Sequence, residues 1–191
     1  DLSNWPHILD RTNLKAVPAS ALAVSAVAYA REFGEDDRVK KWIEQSIFRL
    51  RTFRDLFAVD GSYDEGVSYA NYTTSHIAQA TVVLERYNGV SLFDEINWAG
   101  YVDYLCGMSM ATAIDPAVIV NFGDAGGGAT AAVPYWIAAR AGAERARWFG
   151  DAMSREKDMW SLLWHPGDVK SNRPEQALTL WHSALDWMVA R

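Results

Sequence analysis

The stretch from Asp60 to Tyr72, DGSYDEGVSYANY, concentrates residue types that can move protons. It contains three tyrosines, two aspartates and one glutamate, and phenol and carboxyl groups both serve as general acids and bases. Asp60-Gly61 is a turn signal, and Gly66 allows the backbone to come close to a ligand. This composition indicates a candidate acid–base site in one loop.

The two later tyrosines of this stretch, Tyr69 and Tyr72, are three residues apart where the chain re-enters a helix. At that spacing both side chains can project from one helix face. The same composition also fits a structural loop that is held by tyrosine packing, with Glu65 capping the next helix. Residue types alone leave both interpretations open.

A second irregular segment, NFGDAGGG at 121–128, precedes a predicted helix. Glycines at a helix N-terminus can hold phosphate, but the segment lacks the Gly-Lys-Ser/Thr motif and a βαβ context. The carboxylate of Asp124 would also repel phosphate, and it can serve instead as a helix cap. We therefore predict no nucleotide site here.

The four histidines are His7, His76, His165 and His182. No two of them have the spacing of a ligand pair on one helix face, and the single cysteine lies in a predicted helix. We therefore expect no zinc site and no cofactor within this chain.

Composition is that of a globular protein of 191 residues, with 50% hydrophobic and 22% charged residues. The length fits a single domain, 1–191, that buries its own core.

A net charge of −6 argues against a nucleic-acid partner, and no apolar run approaches the roughly 20 residues of a membrane-spanning helix. Cys106 is the only cysteine, so no internal disulfide is expected. The nine tryptophans and eight tyrosines either fill the core or stack on sugar rings.

Almost the whole chain is predicted to be helical. The predicted helices are 18–33, 36–58, 75–87 (capped by Thr73 or Thr74), 94–111, 129–141, 144–164 (which Gly150 can split) and 174–191, with irregular segments at 59–74, 114–128 and 165–173. The second helix carries an apolar stripe at helical spacing, formed by Trp42, Ile43, Ile47, Leu50, Phe53 and Phe57. No segment shows convincing strand periodicity. The chain starts without a methionine and ends in a predicted helix, so we expect a mature segment or fragment of a longer protein.

Helix pairs joined by alternating short and long connections predict an all-α fold. The expected architecture is an incomplete (α/α) toroid or solenoid, built of antiparallel helix pairs with long functional loops. No repeat of fixed period stands out, so a TPR-type array is not expected. Basic residues between 40 and 54 either form a solvated helix face or lend positive potential to a cleft.

Four segments occur in the same order as in the heparinase II/III-like polysaccharide lyases, which the chain resembles over nearly its whole length. Asn4-Trp5 is similar to the family's NW segment, and 60–72 is similar to its DG-S-Y-x-EG-x-x-Y-x-x-Y stretch. NFGD at 121–124 resembles the FGD segment, and LLWHP at 162–166 resembles an LLWYDP-type segment. The family fold is an incomplete (α/α) toroid, so the resemblance implies that fold here.

The resemblance implies a lyase that cleaves uronate-containing glycans, sulfated ones included, by β-elimination. It assigns Tyr69 as general acid/base, with Tyr72 as the alternative, and Asn4 as the group that neutralises the uronate carboxylate. Related lyases carry an Asn-His pair at that position, whereas here Trp5 follows the asparagine. The further candidates for substrate contact are Trp5, His7, Glu65 and Asp124.

Family members also carry a C-terminal β-sandwich domain with a catalytic histidine and, in some, a zinc site. We expect this chain to lack that domain and to be inactive, or nearly so, alone. The implied partners are an acidic polysaccharide or oligosaccharide and the β-sandwich domain of the same protein, in the periplasm or outside the cell. Two other functions stay open. One is an α/α-toroid enzyme of the unsaturated glucuronyl hydrolase type, with carboxylates from Asp64, Glu65 and Asp124. The other is a non-catalytic glycan-binding or protein-interaction module.

Overall fold

The computed structural model describes residues 12–57, 59–110, 118–120, 128–153, 157–175 and 179–190. The described chain is predominantly helical, which confirms the all-α class. The helices are α1 (Asn13–Phe33), α2 (Asp37–Phe57), α3 (Gly66–Asn88), α4 (Trp98–Gly107), α5 (Ala132–Ala141), α6 (Glu144–Ala152) and α7 (Met159–Leu163). The strands are β1 (Ser109–Met110), β2 (Val118–Ile119), β3 (Thr179–His182) and β4 (Trp187–Ala190).

The chain divides into two compact units. The first comprises residues 1–56 and 73–96, and the second comprises residues 57–72 and 97–191. α3 contributes residues 66–72 to the second unit and its later turns to the first. The candidate site residues that the structure describes all belong to the second unit.

The helices of the first unit follow the apolar patterns of the sequence. α1 buries an alanine-rich face that includes Ala16, Ala19, Ala23, Ala26 and Ala30. The predicted stripe of α2 is confirmed, because Ile43, Leu50, Phe53 and Phe57 are buried while Trp42 and Ile47 are half-buried. Spacings of three and four residues place each set on one side of its helix.

α1 begins earlier than predicted. It starts at Asn13 rather than Pro18, so the proline lies inside the helix, where its missing N–H removes one backbone hydrogen bond. Its end is as predicted. Gly34 has φ 91° and donates its N–H to the Ala30 carbonyl at 2.9 Å.

α3 also begins earlier than predicted, and this changes the candidate site. The helix starts at Gly66, which has φ 84°, rather than at Ser75. Thr73 and Thr74 are therefore buried positions inside the helix, not caps. Burial of Val67, Ala70 and other residues of these turns outweighs the modest helix propensity of threonine and tyrosine. Tyr69 and Tyr72 thus lie on a helix and not in a loop.

The middle helices are shorter than predicted. Asn97 accepts the N–H of Gly100 at 2.9 Å and caps α4, so the helix begins at Trp98 instead of 94. The predicted helix 144–164 is interrupted, but after α6 rather than at Gly150. Asp158 forms a capping box that starts α7 as a separate short helix.

The predicted final helix, 174–191, is wrong. Residues 179–190 form an antiparallel hairpin in which Trp181 pairs with Met188 and His182 pairs with Trp187. Burial alternates along it: Trp181 and Met188 are exposed, whereas His182 and Val189 are buried. This two-residue period places alternate side chains on opposite faces of the hairpin.

In the described ranges, no helix combines the length and the apolar character that crossing a membrane requires.

Candidate functional site

The loop between α2 and α3 packs its backbone directly on the start of α4. Gly61 has φ 74°, and a Cβ at this position would overlap backbone atoms of Gly100 and Tyr101. Only glycine fits both the backbone angle and the close approach. The Asp60-Gly61 turn signal therefore fixes where the loop meets α4.

Asp60 joins this loop to the β3–β4 hairpin. Its Oδ1 accepts the Ser62 N–H at 3.0 Å and the Ser62 hydroxyl, and its Oδ2 accepts the Ala184 N–H at 3.0 Å and the Ser183 hydroxyl at 3.4 Å. Burial by itself raises the pKa of Asp60. The donors of Ala184 and Ser62 and the nearby imidazole of His182 outweigh that effect, so the pKa is held below its usual value. Asp60 is thus an ionised clamp between the loop and the hairpin turn.

A chain of aromatic side chains runs from the loop into the core of the second unit. Tyr63 is fully buried, stacks on Phe57 with ring centroids 6.0 Å apart, and donates its hydroxyl to Glu65 Oε2 at 2.7 Å. Its carbonyl accepts the Tyr104 hydroxyl at 3.0 Å. The Tyr104 ring meets the buried imidazole of His182 edge-on at 5.2 Å. Burial raises the pKa of Tyr104, so this phenol stays protonated and structural.

Tyr69 and Tyr72 lie on the first two turns of α3, directly after this loop. Tyr69 is half-buried and Tyr72 is 48% exposed. Residues three apart are neighbours on a helix surface. In the described part of the chain, nothing forms a hydrogen bond with the Tyr69 hydroxyl, so that group can meet a ligand. Glu65, the third candidate in this region, is half-buried and held by Tyr63.

Asn71 ties the same turns of α3 to the segment before α5. Its carboxamide accepts the Thr130 N–H at 3.0 Å and the Thr130 hydroxyl at 3.2 Å, and it donates to the Thr130 carbonyl at 3.3 Å. Asn71 is 4% exposed. This bonding fixes the helix turn that carries Tyr69 and Tyr72 against the chain that follows the glycine-rich segment.

The other predicted site residues, Asn4, Trp5, His7 and Asp124, lie outside the described residues. In the ranges that the structure covers, no group of three or more His, Cys, Asp or Glu side chains could hold a metal ion.

The arginines of α2 favour a solvated face over a charged cleft. Arg51 pairs with both oxygens of Glu95, at 2.7 and 2.9 Å, and Arg54 contacts the same carboxylate at 3.4 Å. The hydrogen bond from Arg51 is the main reason that the pKa of Glu95 lies below its usual value. Arg54 also pairs with Asp55 at 3.0 Å, so two carboxylates of the first unit compensate the positive charge of these two arginines.

Sequence reasoning missed three residues that shape this site: Asn71, Tyr104 and His182. By residue type alone, Asn71 cannot be distinguished from an exposed asparagine, and no local sequence pattern marks its distant partner, Thr130. His182 could be found only by recognising the C-terminal hairpin, whose four-residue strands are too short to show a strand period in the sequence. Together these residues hold a helix turn with an available phenol beside a rigid loop, an arrangement that can donate or accept a proton.

No protein-family model matches the chain. No solved structure matches it either.

Proposed function

We propose that this chain is the helical part of a polysaccharide lyase that cleaves uronate-containing glycans, sulfated ones included, by β-elimination. The observation that carries the proposal is that Tyr69, half-buried at the start of α3, has a hydroxyl with no hydrogen bond in the described part of the chain. Tyr69 follows a loop that hydrogen bonds hold in place, and the sequence of this loop resembles the lyase stretch. The proposed fold is an incomplete (α/α) toroid, for which the predominance of helix is the support.

The reaction needs a base, an acid and a group that neutralises charge. The base removes the C5 proton of the uronate ring, the C5–H electron pair becomes the C4=C5 double bond, and the C4–O glycosidic bond breaks. The departing oxygen takes a proton from the acid. The C5 proton is weakly acidic, so the adjacent carboxylate must be neutralised or hydrogen-bonded to stabilise the enolate-like intermediate. No oxidant, reductant or water is consumed.

Tyr69 is the proposed general acid/base. Its protonated phenol can give a proton to the departing oxygen. To act as base it must first ionise, which a nearby positive charge or a hydrogen bond to the phenolate favours. One tyrosine that takes the C5 proton and passes it to the departing oxygen ends the cycle unchanged. Tyr72, one turn later and more exposed, is the alternative for either step.

Two fixed contacts support the assignment to this turn of α3. The Asn71 carboxamide anchors the turn to Thr130, and the Asp60 clamp holds the preceding loop. A reacting group must be held to within a fraction of an ångström of its productive position, and surrounding hydrogen bonds of this kind hold it there.

The remaining roles follow from the resemblance. Asn4 is proposed to neutralise the uronate carboxylate, with His7 as the nearby imidazole, and Trp5 to stack on a sugar ring. Glu65 and Asp124 are proposed to line the cleft. A C-terminal β-sandwich domain of the same protein would complete the site, in the periplasm or outside the cell.

The test follows the ultraviolet absorbance of unsaturated uronate. The protein that carries both domains is incubated with heparan sulfate, alginate and other uronate polymers, with this chain alone as a second sample. Tyr69→Phe removes the proposed proton donor and keeps the ring. Tyr87→Phe is the matched control, since its hydroxyl donates to Glu35 at 2.7 Å in the first unit.

We expect turnover by the two-domain protein, a loss of at least about a hundredfold in kcat for Tyr69→Phe, and no change for Tyr87→Phe. Unchanged turnover in Tyr69→Phe would remove Tyr69 from the reaction and assign its role to Tyr72. The absence of unsaturated product from every polymer would count against the lyase itself.

A non-catalytic glycan-binding module is the second candidate, and tryptophan exposure favours it. Of the eight described tryptophans, only Trp98 and Trp136 are buried. The others keep surface that can stack on sugars: Trp42, Trp148, Trp160, Trp164, Trp181 and Trp187. This candidate predicts glycan binding that survives Tyr69→Phe, with no turnover in the two-domain protein.

A further inference from the structure

An open pocket of about 470 Å³ lies in the second unit, lined by residues of α5, the end of α6, α7 and the chain beside it. It contains none of the residues of the Tyr69 site. The LLWHP segment at 162–166 contributes Leu162 and His165 to its walls, and the other lining residues come from separate segments between 135 and 161.

The floor of the pocket is fixed by a hydrogen-bond network. Tyr135 donates its hydroxyl to Asp151 Oδ1 at 2.7 Å, and Arg147 Nε donates to Asp151 Oδ2 at 2.8 Å. Burial, with help from the bond to Asp151, raises the pKa of Tyr135 to about 12. A Cβ at Gly150 would overlap the Tyr135 ring, so glycine permits the ring to lie against α6. Arg147 compensates the charge of Asp151, which leaves the floor rigid and nearly neutral.

The walls carry polar groups that remain available. Lys157 is exposed and has no ion-pair partner in the described ranges. His165 Nδ1 accepts the Gly167 N–H at 3.3 Å, so Nε2 carries the proton and is the ring's donor. Asp158 uses Oδ1 for the Ser161 N–H and hydroxyl, at 2.8 and 2.9 Å, which leaves Oδ2 as an acceptor. The pocket thus offers two donors, one of them charged, and one acceptor.

Apolar surface accompanies these polar groups. Met159 and Leu162 line the same pocket and are 65% and 77% exposed. An apolar ring face placed against them would cover surface that is otherwise in water.

We propose that this pocket binds a hydroxylated six-membered-ring carboxylate, of which a uronate sugar is the example. The carboxylate would pair with Lys157 and His165, a ring hydroxyl would donate to Asp158, and one ring face would pack on Met159 and Leu162. The ligand class matches the proposed function, but the residues are different, so the pocket's binding does not depend on Tyr69 being catalytic.

The test is an NMR titration of the full chain with three small probes: glucuronate, glucose and cyclohexanecarboxylate. We expect glucuronate to bind saturably, with amide shifts concentrated at residues 157–165. Glucose, which lacks the carboxylate, and cyclohexanecarboxylate, which lacks the hydroxyls, should each bind at least several-fold more weakly. Lys157→Met keeps the apolar stem and should weaken glucuronate binding about tenfold, the value of one charge-assisted hydrogen bond.

Lys170→Met is the matched control, because Lys170 is also exposed but lies outside the pocket. It should leave glucuronate affinity unchanged, and amide shifts confined to residues 157–165 would separate this site from the proposed lyase site. Absence of saturable glucuronate binding, or equal losses in Lys157→Met and Lys170→Met, would overturn the proposal. Glucose binding as tightly as glucuronate would overturn the carboxylate assignment, and equally tight cyclohexanecarboxylate would overturn the sugar assignment.

Discussion

Replacing Asp60 by asparagine should loosen the β3–β4 hairpin from the loop before α3. In the native chain the two carboxylate oxygens accept backbone N–H groups from opposite sides, Ser62 on Oδ1 and Ala184 on Oδ2. Asparagine has one oxygen and one NH₂ group, so one of these backbone donors must face another donor. Asp60→Asn therefore removes the charge and one side of the clamp without changing the size of the side chain.

The structure sets the size of the effect. Hydrogen bonds to charged groups contribute about 1.5–3 kcal/mol each. Asp60 is half-buried and its bond from the Ala184 N–H is exposed, so water can replace a lost partner, and the remaining amide oxygen keeps one bond. We therefore expect a loss of about 1–2 kcal/mol in the free energy of unfolding at neutral pH.

The effect should depend on pH with a defined sign. The pKa of Asp60 is lower in the folded protein than in the unfolded chain. Its contribution is therefore complete above the unfolded value of about 3.9 and is lost as the pH falls through the folded pKa. The stability difference between native protein and Asp60→Asn should shrink on acidification.

Urea unfolding measures the free energy, and hydrogen exchange at the Ala184 amide reports on the clamp itself. Asp168→Asn is the control, because this aspartate is exposed in the same unit and makes no hydrogen bond in the described part of the chain. A loss below about 0.5 kcal/mol, the range of ordinary surface changes, with unchanged Ala184 protection would refute the reasoning.

Three further predictions concern single contacts. Gly61→Ala should destabilise the protein by about 3 kcal/mol or more, because the new methyl overlaps the Gly100 backbone at a positive φ; a melting temperature equal to that of the native protein would contradict this. Asn71→Ala should cost about 1–3 kcal/mol by leaving the backbone groups of Thr130 unsatisfied, measured by urea unfolding, and a loss below about 0.5 kcal/mol would contradict this. Asp158→Ala removes the α7 capping box and should cost about 1 kcal/mol, with faster amide exchange at Ser161 as the diagnostic sign.

The position of α2 and the end of α1 could be predicted because local patterns decide them. α2 was predicted within a residue or two at each end, since its apolar stripe and acidic start are local features. Gly34 ended α1 as expected, because a glycine at positive φ closes a helix without tertiary help. The start of α3 was wrong for the opposite reason. Tyrosines and threonines after Gly66 have modest helix propensity, and only their burial makes the helix continue.

The C-terminal hairpin and the site network depend on contacts that sequence patterns do not carry. TLWH and WMVA are four-residue strands, too short for periodicity to separate them from a helix segment. Asp60 was recognised as a turn residue, but its partners Ser183 and Ala184 are more than 120 residues away. The candidate tyrosines could be named from their types and spacing. The groups that hold them in place could not.

The most direct test of the proposed lyase is mass spectrometry of the products released from a uronate polymer by this chain joined to the proposed β-sandwich domain. β-Elimination predicts oligosaccharides that end in a 4,5-unsaturated uronate and are lighter by one water than hydrolysis products, with their yield abolished by Tyr69→Phe. Saturated products carrying an added water, or no products from any uronate polymer, would contradict the proposal.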